Sequence, residues 1–364
     1  MTETIRAIAD RIQREAPARE RLPLCFGPQR IDVLSNSPDL LDGLRRYFAA
    51  FDEGDREREA DLVVRAHQIE PPDLGLDYRE WTREPGKQTR KEAYFDLEDG
   101  RAVRKVRTDM QFLVGRELRV AIGDCLAHPN QIVNFINFQY TAYLMNRDRV
   151  LCHAAGVVEK GRGLGLAAVS GGGKSTLALH LMSAGLSFTS NDRLLVGPGP
   201  GGVEMQGIPK HPRINPGTAL ANPDLAGIVS ESRRAELERL PREQLWELEE
   251  KYDALVDQLF GLDRVVLHAP MRAFLILSWS HRSPEPARFE RVDLEARPDL
   301  LDPIMKAPGP FFLPDQGAPP TGYEPPDPKP YLEALDGLPI YEASGGVDFE
   351  QGVAFARSIL STSG

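Results

Sequence analysis

The residues best suited to chemistry in this chain form a short glycine-rich segment. Residues 168–176 read Ala-Val-Ser-Gly-Gly-Gly-Lys-Ser-Thr, the pattern Gly-x-x-x-x-Gly-Lys-Ser/Thr with alanine at the first position. Such glycines let backbone N–H groups turn toward a polyphosphate, while Lys174 offers a positive charge and Ser175 a hydroxyl for Mg²⁺. We therefore predict that the segment binds ATP and Mg²⁺. The predicted cofactor-binding residues are Ser170, Gly171, Gly172, Gly173, Lys174, Ser175 and Thr176.

The flanks of this segment have the patterns of a strand and a helix. Residues 164–169 form a short apolar run, and residues 175–184 place leucine, alanine and methionine on one helical face before Gly185. The loop therefore opens a helix N-terminus, where unpaired N–H groups and the helix dipole favour an anion. A chance glycine-rich turn is the alternative, and the strand and helix around the loop argue against it.

Asp192 is the acid that we predict to act on the bound phosphates. It follows a predicted strand at 186–189, one helix and one strand after the loop. Most phosphate-loop NTPases place an acid at the end of a later strand, but the apolar run 273–279 ends in Ser-Trp-Ser without one. At the end of the neighbouring strand, Asp192 would bind the metal or take a proton from an incoming hydroxyl. The alternative is an ordinary turn residue within residues 190–193.

A second polar group lies in the proline-rich segment 206–223. Lys210, His211 and Arg213 form a basic cluster there. Because arginine makes bidentate contacts to phosphate, we predict that Arg213 stabilises charge during phosphoryl transfer. A solvated loop is the alternative.

The rest of the chain predicts two α/β domains. Residues 1–129 contain strand patterns, among them a hairpin around Asp99-Gly100, and form the smaller N-terminal domain for recognition or regulation. Residues 130–364 begin with a helix at 130–147 and form the nucleotide-binding catalytic domain. Residues 315–329 contain five prolines and two glycines, which indicates a surface loop or a mobile lid.

Composition excludes several classes of protein. The 364 residues are 41% hydrophobic and 27% charged, as in ordinary globular proteins. The net charge of −10 argues against nucleic acid or an acidic membrane as a partner. Three cysteines without metal spacing suit a reducing compartment, and no stretch is long and apolar enough to cross a bilayer. We expect a cytoplasmic protein without nucleic-acid or membrane partners, and a homo-oligomer is compatible with the sequence.

Several segments of the second half resemble the HPr kinase/phosphorylase family, and most closely its HPr-kinase-related kinase B type. The segments that carry the resemblance are Val133-Asn-Phe-Ile-Asn-Phe-Gln-Tyr140, His153-Ala-Ala-Gly156, Ser170-Gly-Gly-Gly-Lys-Ser-Thr176, Ser190-Asn-Asp-Arg193, Ile208-Pro-Lys-His-Pro-Arg213, Asn215-Pro-Gly-Thr218, and Met305-Lys306 before Pro308-Gly-Pro310. The resemblance implies a phosphate-loop domain with a phosphoenolpyruvate-carboxykinase-like nucleotide fold, preceded by a smaller α/β domain.

The resemblance also implies roles for individual residues. Asp192 would be the catalytic acid/base and, with Ser175, a metal ligand. His153 would lie near the transferred phosphate; the alternative is a packed histidine bonded to a carbonyl. The family has three consecutive aspartates where this chain has Asn191-Asp192-Arg193, which puts the reverse reaction and the protein HPr as substrate in doubt.

The sequence therefore predicts an Mg²⁺- and ATP-dependent kinase. Its acceptor would be a hydroxyl on a small protein or a metabolite, and the sequence does not decide between them. The main alternative is a nucleotide-binding switch or assembly ATPase without a specific acceptor, which the single remaining acid favours. A mechanical NTP hydrolase is disfavoured by the missing acidic strand end.

Overall fold

The computed structural model describes residues 4–54, 59–86, 90–169, 171–241, 244–245, 248 and 250–361. Two compact units emerge, the first formed by Met1–Asp148 with Ala307–Pro326 and the second by Arg149–Lys306 with Asp327–Gly364. Both combine helices with mixed sheets, so the predicted α/β class is confirmed. The domain boundary predicted at 129/130 stays a prediction. In the structure, the helix that follows residue 129 and the segment 307–326 make their contacts within the first unit.

The first unit is built on a mixed sheet with strand order β1-β2-β3-β8-β7-β6-β5-β4. Its strands are β1 Glu20–Phe26, β2 Gln29–Ser35, β3 Leu62–Gln68, β4 Arg79–Glu80, β5 Glu92–Leu97, β6 Gly100–Lys105, β7 Gln111–Gly115 and β8 Arg119–Gly123. Its helices are α1 Ile5–Glu15, α2 Pro38–Tyr47 and α3 Pro129–Met145, with a 3₁₀ turn at Ala49–Phe51. The predicted hairpin is confirmed, since Leu97 pairs with Gly100 across the β5–β6 turn.

The segment 307–326 is fixed to the first unit at several points. The Phe311 ring stacks on Phe138, with centroids 5.0 Å apart. Arg101, whose side chain is fully buried, donates to the Pro310 carbonyl, and the Tyr94 hydroxyl donates to the Thr321 carbonyl. Residues 315–327 contain no helix or strand, as predicted for a surface loop, and the Tyr94–Thr321 bond ties this loop to the first unit. The mobility of 315–329 stays a prediction.

The second unit contains a larger mixed sheet with order β12-β10-β11-β17-β14-β13-β9, extended by β19 beside β17 and β18 beside β19. The strands of the second unit are β9 Val150–Cys152, β10 Ala154–Glu159, β11 Arg162–Ala168, β12 Ser187–Ser190, β13 Leu194–Gly199, β14 Gly202–Gly207, β15 Arg213–Ile214, β16 Tyr252–Asp253, β17 His268–Leu277, β18 Arg288–Val292 and β19 Ile340–Ser344. Of these, β15 and β16 form a separate two-stranded sheet. The helices of this unit are α4 Lys174–Ser183, α5 Pro216–Ala221, α6 Glu231–Leu237, α7 Val256–Phe260, α8 Pro298–Leu301, α9 Pro328–Ala334 and α10 Phe349–Ser361, with 3₁₀ turns at Pro223–Ile228 and Leu262–Arg264.

Strand direction determines which loops meet at one edge of this sheet. The second half of β17 runs parallel to β11 and to β19. Strand β10 runs antiparallel to both β11 and β12, so β11 and β12 point the same way. The chain therefore leaves β11, β12 and β17, and enters β10, at the same edge. That edge carries the glycine-rich segment, the 190–193 turn and His153.

The order of these strands corrects one expectation. The strand before Asp192 is not the sheet neighbour of β11, because β10 forms a hairpin with β11 and occupies that place. Helix α4 covers this region of the sheet and buries its apolar face there. The buried cluster includes Leu177, Ala178, Leu181, Leu164, Leu166, Leu275 and Leu277. Among the described residues, no helix is both long and apolar enough to cross a membrane.

Candidate functional site

The glycine-rich loop joins β11 to α4 through two left-handed residues. Gly171 has φ +79° and Gly173 has φ +82°, a backbone region that other residues rarely adopt. The Gly172 N–H donates to the Val169 carbonyl over 2.8 Å. Helix α4 begins at Lys174, one residue earlier than predicted, with Gly173 as its N-cap. The N–H groups of the first helical turn have no partner within the helix and suit an anion. Ser170 lies outside the described residues.

The two left-handed glycines give a matched pair of substitutions. A Cβ at Gly173 would lie 2.9 Å from Phe349 Cζ, whereas a Cβ at Gly171 would have no atom within 4 Å. We expect Gly171→Ala to cost only the backbone strain of about 1–2 kcal/mol. Gly173→Ala should cost a further ~1–3 kcal/mol from overpacking. Thermal unfolding measures the loss of stability in both variants, and each kcal/mol should lower the melting temperature by about 2–4 °C for a unit of this size.

The ring of Phe349 gives the control for this comparison. Adding Phe349→Leu should recover stability in Gly173→Ala and not in Gly171→Ala. Equal melting temperatures for the two alanine variants would contradict the close approach of Phe349 to the loop.

Trp279 holds the loop from the end of β17. Its indole Nε1–H donates to the Gly172 carbonyl over 2.8 Å, and the side chain is buried. This is the strand end where the sequence lacks the acid of common NTPases. The structure places there a hydrogen-bond donor that fixes a loop carbonyl. A buried indole needs a partner for its N–H, but nothing local in the sequence indicates which one.

Lys174 is buried beneath the loop and points along the same edge. Its side chain is 10% exposed, and its Nζ lies 3.5 Å from the His153 carbonyl and 3.9 Å from Asp192 Oδ1. Burial lowers the pKa of Lys174 from its ordinary value to about 8, even though Asp192 acts in the opposite direction. The ammonium is therefore poorly solvated, and it would gain from a phosphate group placed against it.

This pKa predicts how anion binding depends on pH. A bound phosphate favours the charged lysine, so affinity is highest below pH 8 and falls as pH rises through 8 and the amine loses its proton. We expect about a tenfold loss of ATP affinity for each pH unit above 8, measured by calorimetry. Burial also lowers the pKa of Lys210, so Lys174→Arg, whose charge does not titrate, is the control. An unchanged pH profile in that variant would contradict the assignment to Lys174.

Asp192 lies among four basic side chains. Its Oδ1 is 3.2 Å from His153 Nε2, and its Oδ2 is 3.7 Å from Lys306 Nζ and 3.8 Å from Arg193 Nε; Lys174 is the fourth. Burial by the surrounding protein would raise the pKa of Asp192, but the hydrogen bond from His153 and the charges of Lys306 and Lys174 outweigh it and hold the pKa far below its ordinary value. The carboxylate is 53% exposed, so solvent screens part of this effect. It is ionised at physiological pH.

Backbone pairing brings His153 and Lys306 to this carboxylate. The His153 N–H donates to the Ile304 carbonyl over 2.7 Å, and Cys152 forms a bridge with Met305. Lys306 therefore extends past the start of β10 toward the site. The ring of His153 faces Asp192 instead of a carbonyl. The local sequence gives little indication that Lys306 reaches Asp192, because its approach depends on pairing between residues about 150 positions apart.

The remaining predicted residues lie along one cleft with a volume of about 610 Å³, within the usual range for small-molecule sites. Ser175 and Thr176 line it from the first turn of α4, and the Thr176 hydroxyl lies 2.9 Å from that of Thr218. Arg213 lines the opposite wall, with its side chain 60% exposed and its Nε 3.2 Å from Asp253 Oδ1. The structure thus brings Arg213 to the cleft but pairs it with an acid.

The donor set of the cleft fits Mg²⁺ bound together with a nucleotide. Magnesium in such sites uses one or two protein oxygens, and phosphate oxygens and water supply the rest. Ser175 and Asp192 provide a hydroxyl and a carboxylate here. Within the described ranges, no group of three or more His, Cys, Asp or Glu side chains is arranged to hold a metal by itself.

Comparisons with solved structures give distant likenesses. No family model matches the chain, and no curated protein matches its sequence. Among solved structures, the chain is similar to an HPr(Ser) kinase/phosphatase from Coxiella burnetii, with 13% sequence identity and a TM-score of 0.30 over 57% of this chain and 88% of that chain. At these values the relationship is distant.

Proposed function

We propose that this protein is an ATP-dependent kinase that transfers the γ-phosphoryl group to a hydroxyl. The observation that carries the proposal is the meeting of the loop lysine with an ionised acid: Lys174 Nζ lies 3.9 Å from Asp192 Oδ1, which also accepts from His153. A phosphate loop without a nearby base would only bind a nucleotide. Here the group that would hold the terminal phosphate adjoins a group that can position an acceptor.

Each side chain then has a defined task. The N–H groups of residues 173–175, at the start of α4, and the Lys174 ammonium hold the β- and γ-phosphates. Ser175 and Asp192 would hold Mg²⁺, which supplies positive charge to the phosphate oxygens. Lys306 and Arg213 are placed to stabilise negative charge as the reaction proceeds. Catalysis of this type depends mainly on positioning and electrostatics.

The low pKa of Asp192 is compatible with proton transfer late in the reaction. Without a phosphate, Lys174 and Lys306 stabilise the Asp192 carboxylate and make it a weak base. A bound triphosphate would compete for these cations, so that Asp192 would become a stronger base where it faces the acceptor and does not hold the metal. In the transfer, the acceptor oxygen bonds to the γ-phosphorus and the bond to the bridging oxygen of ADP breaks. The hydroxyl proton passes to Asp192.

A labelling experiment tests the proposal. The protein is incubated with γ-labelled ATP and a lysate of its host, with Lys174→Met as the control. We expect an acceptor labelled on a hydroxyl, so the product should survive mild acid, unlike a phosphohistidine, and neutral hydroxylamine, unlike an acyl phosphate. Release of label only as inorganic phosphate, at the same rate without lysate, would rule out the kinase and indicate a hydrolase.

The alternative is a nucleotide-binding switch or assembly ATPase. It is favoured by one observation: among the described residues that line the cleft, Asp192 is the single carboxylate, and it is already paired with cations. A switch should bind ATP and ADP with different affinities and turn over neither. In the labelling experiment it would give nucleotide binding without any labelled product.

A further inference from the structure

We propose that the phosphoryl acceptor is a small hydroxyl compound that already carries a phosphate group. This inference rests on the proposed kinase function and specifies its second substrate. The acceptor's phosphate would bind the basic wall, a name used here for Arg193, Lys210, Arg213 and Lys251. All four side chains line the same cleft as the glycine-rich loop.

The charge of the cleft is opposite to that of the whole chain. The protein has a net charge of −10, yet the described residues that line the cleft include five lysines and arginines and a single carboxylate, Asp192. Magnesium neutralises part of a triphosphate's charge. Lys174, Lys306 and the loop N–H groups are placed to interact with the rest of the triphosphate's charge. The basic wall adds further positive charge. Asp192 and Asp253 balance part of it, and a second anion would balance the rest.

Backbone pairing fixes the position of the basic wall. Strands β15 and β16 pair Arg213 with Asp253, and the Ala254 N–H donates to the Pro212 carbonyl over 2.9 Å. Lys251 lies two residues before Asp253 on the same ribbon. The intervening His211 accepts from the Val256 N–H and lies 3.7 Å from Asp257, so it anchors the segment. Lys210 and Arg213 flank this anchor, so their backbone is held in place.

The cations of the wall repel one another without a ligand. Burial lowers the pKa of Lys210, and the charges of Arg193 and Arg213 lower it further, while Asp192 opposes them. Lys210 is exposed by surface area, although the protein around its ammonium desolvates it enough to lower its pKa. The Arg213–Asp253 pair is about 60% exposed on both sides, so a phosphate can replace the aspartate at little cost. An incoming dianion would relieve the repulsion and gain a bidentate arginine contact.

The location of the wall explains how such an acceptor would react. Asp192 pairs with Lys174 on the loop side and with Arg193 from the wall. A compound anchored by its own phosphate at the wall would therefore present a hydroxyl toward Asp192 and the γ-phosphate. The concave shape and volume of about 610 Å³ for the whole cleft favour a small compound over a folded protein acceptor.

Inorganic phosphate tests the proposal without knowledge of the acceptor. The protein is first saturated with Mg²⁺ and a non-hydrolysable ATP analogue, so that the loop is filled, and phosphate is then titrated by calorimetry. We expect one saturable phosphate site, with acetate binding more weakly. The double variant Lys210→Gln and Lys251→Gln should bind phosphate at least tenfold more weakly and keep its melting temperature. Lys329→Gln, which changes a 77% exposed lysine elsewhere in the unit, should match the original protein.

The outcomes separate this inference from the kinase proposal. Absence of saturable phosphate binding, or equal binding in the double variant, overturns the phosphorylated acceptor even if the analogue binds well. A glutamate-rich peptide that displaces phosphate and binds more tightly would also overturn it, in favour of a protein acceptor. If the analogue fails to bind while phosphate binding still depends on Lys210 and Lys251, the kinase proposal fails and the anion site stands.

Discussion

Asp192→Asn should strongly slow phosphoryl transfer, while ATP in the absence of Mg²⁺ binds at least as tightly as before. The substitution keeps the size of the side chain and removes its charge. Loss of the base should lower the transfer rate on the order of 10²–10⁴-fold. At the same time Lys174 and Lys306, now 3.9 Å and 3.7 Å from the carboxylate, lose their negative partner and become available to phosphate. Because Asp192 is 53% exposed, solvent screening limits the gain in affinity to about 1 kcal/mol, or roughly fivefold.

The effect of Mg²⁺ on the ATP affinity of Asp192→Asn distinguishes the two roles proposed for Asp192. If the carboxylate holds the metal, Asp192→Asn should bind free ATP more tightly in EDTA and gain less, or lose affinity, with Mg²⁺ present. If it acts only on the acceptor, both forms of ATP should gain equally. Asp224→Asn, at an exposed acid of the same unit, is the control for a general change in charge. Undiminished labelling of the acceptor by Asp192→Asn would contradict the mechanism.

Lys174→Met should remove most of the affinity for ATP and leave the protein folded. Methionine fills nearly the same volume without the charge, and hydrogen bonds to charged groups contribute about 1.5–3 kcal/mol, which corresponds to roughly a 10–100-fold weaker affinity. The pH dependence above pH 8 should disappear with the titrating amine. Because the lysine is 10% exposed and poorly solvated, its replacement by an apolar side chain should cost little stability.

Lys329→Met is the matched control for this second prediction, since its lysine is 77% exposed and its ammonium lies 3.8 Å from Glu333 Oε1. It should leave ATP affinity unchanged. ATP affinity of Lys174→Met within twofold of the original protein would show that the loop does not use its lysine, and would remove the main support for nucleotide binding. Melting temperatures of both variants establish that any loss is local.

The local parts of the site could be predicted from the sequence. Glycines with positive φ, an apolar strand before them and an apolar helix after them all act over a few residues, and the structure has these elements within one residue of the expected helix start. The α/β class follows from the same patterns. Asp192 could be selected because it is an acid that follows a short strand soon after the loop.

Parts that depend on distant pairing could not be predicted. The insertion of β10 between β11 and β12 follows from a hairpin whose place in the sheet no local pattern reveals. Lys306 reaches Asp192 because residues 304–305 pair with residues 152–153. Within the proline-rich segment 315–326, Thr321 accepts from the Tyr94 hydroxyl and Asp315 donates to Asn146, two partners that no local pattern reveals. In each case the deciding contact joins residues far apart in sequence.

The hydrogen bond from Trp279 to the Gly172 carbonyl also allows the loop to be followed by tryptophan fluorescence. Indole fluorescence responds to the loss or gain of a hydrogen bond at Nε1, and this N–H is bonded to the loop itself. The chain contains three tryptophans, so replacement of Trp81 and Trp246 by phenylalanine would leave one emitter, with the Phe349 ring 5.5 Å away. Any rearrangement of the loop on binding a phosphate would then appear as a spectral shift, in real time and without an added label.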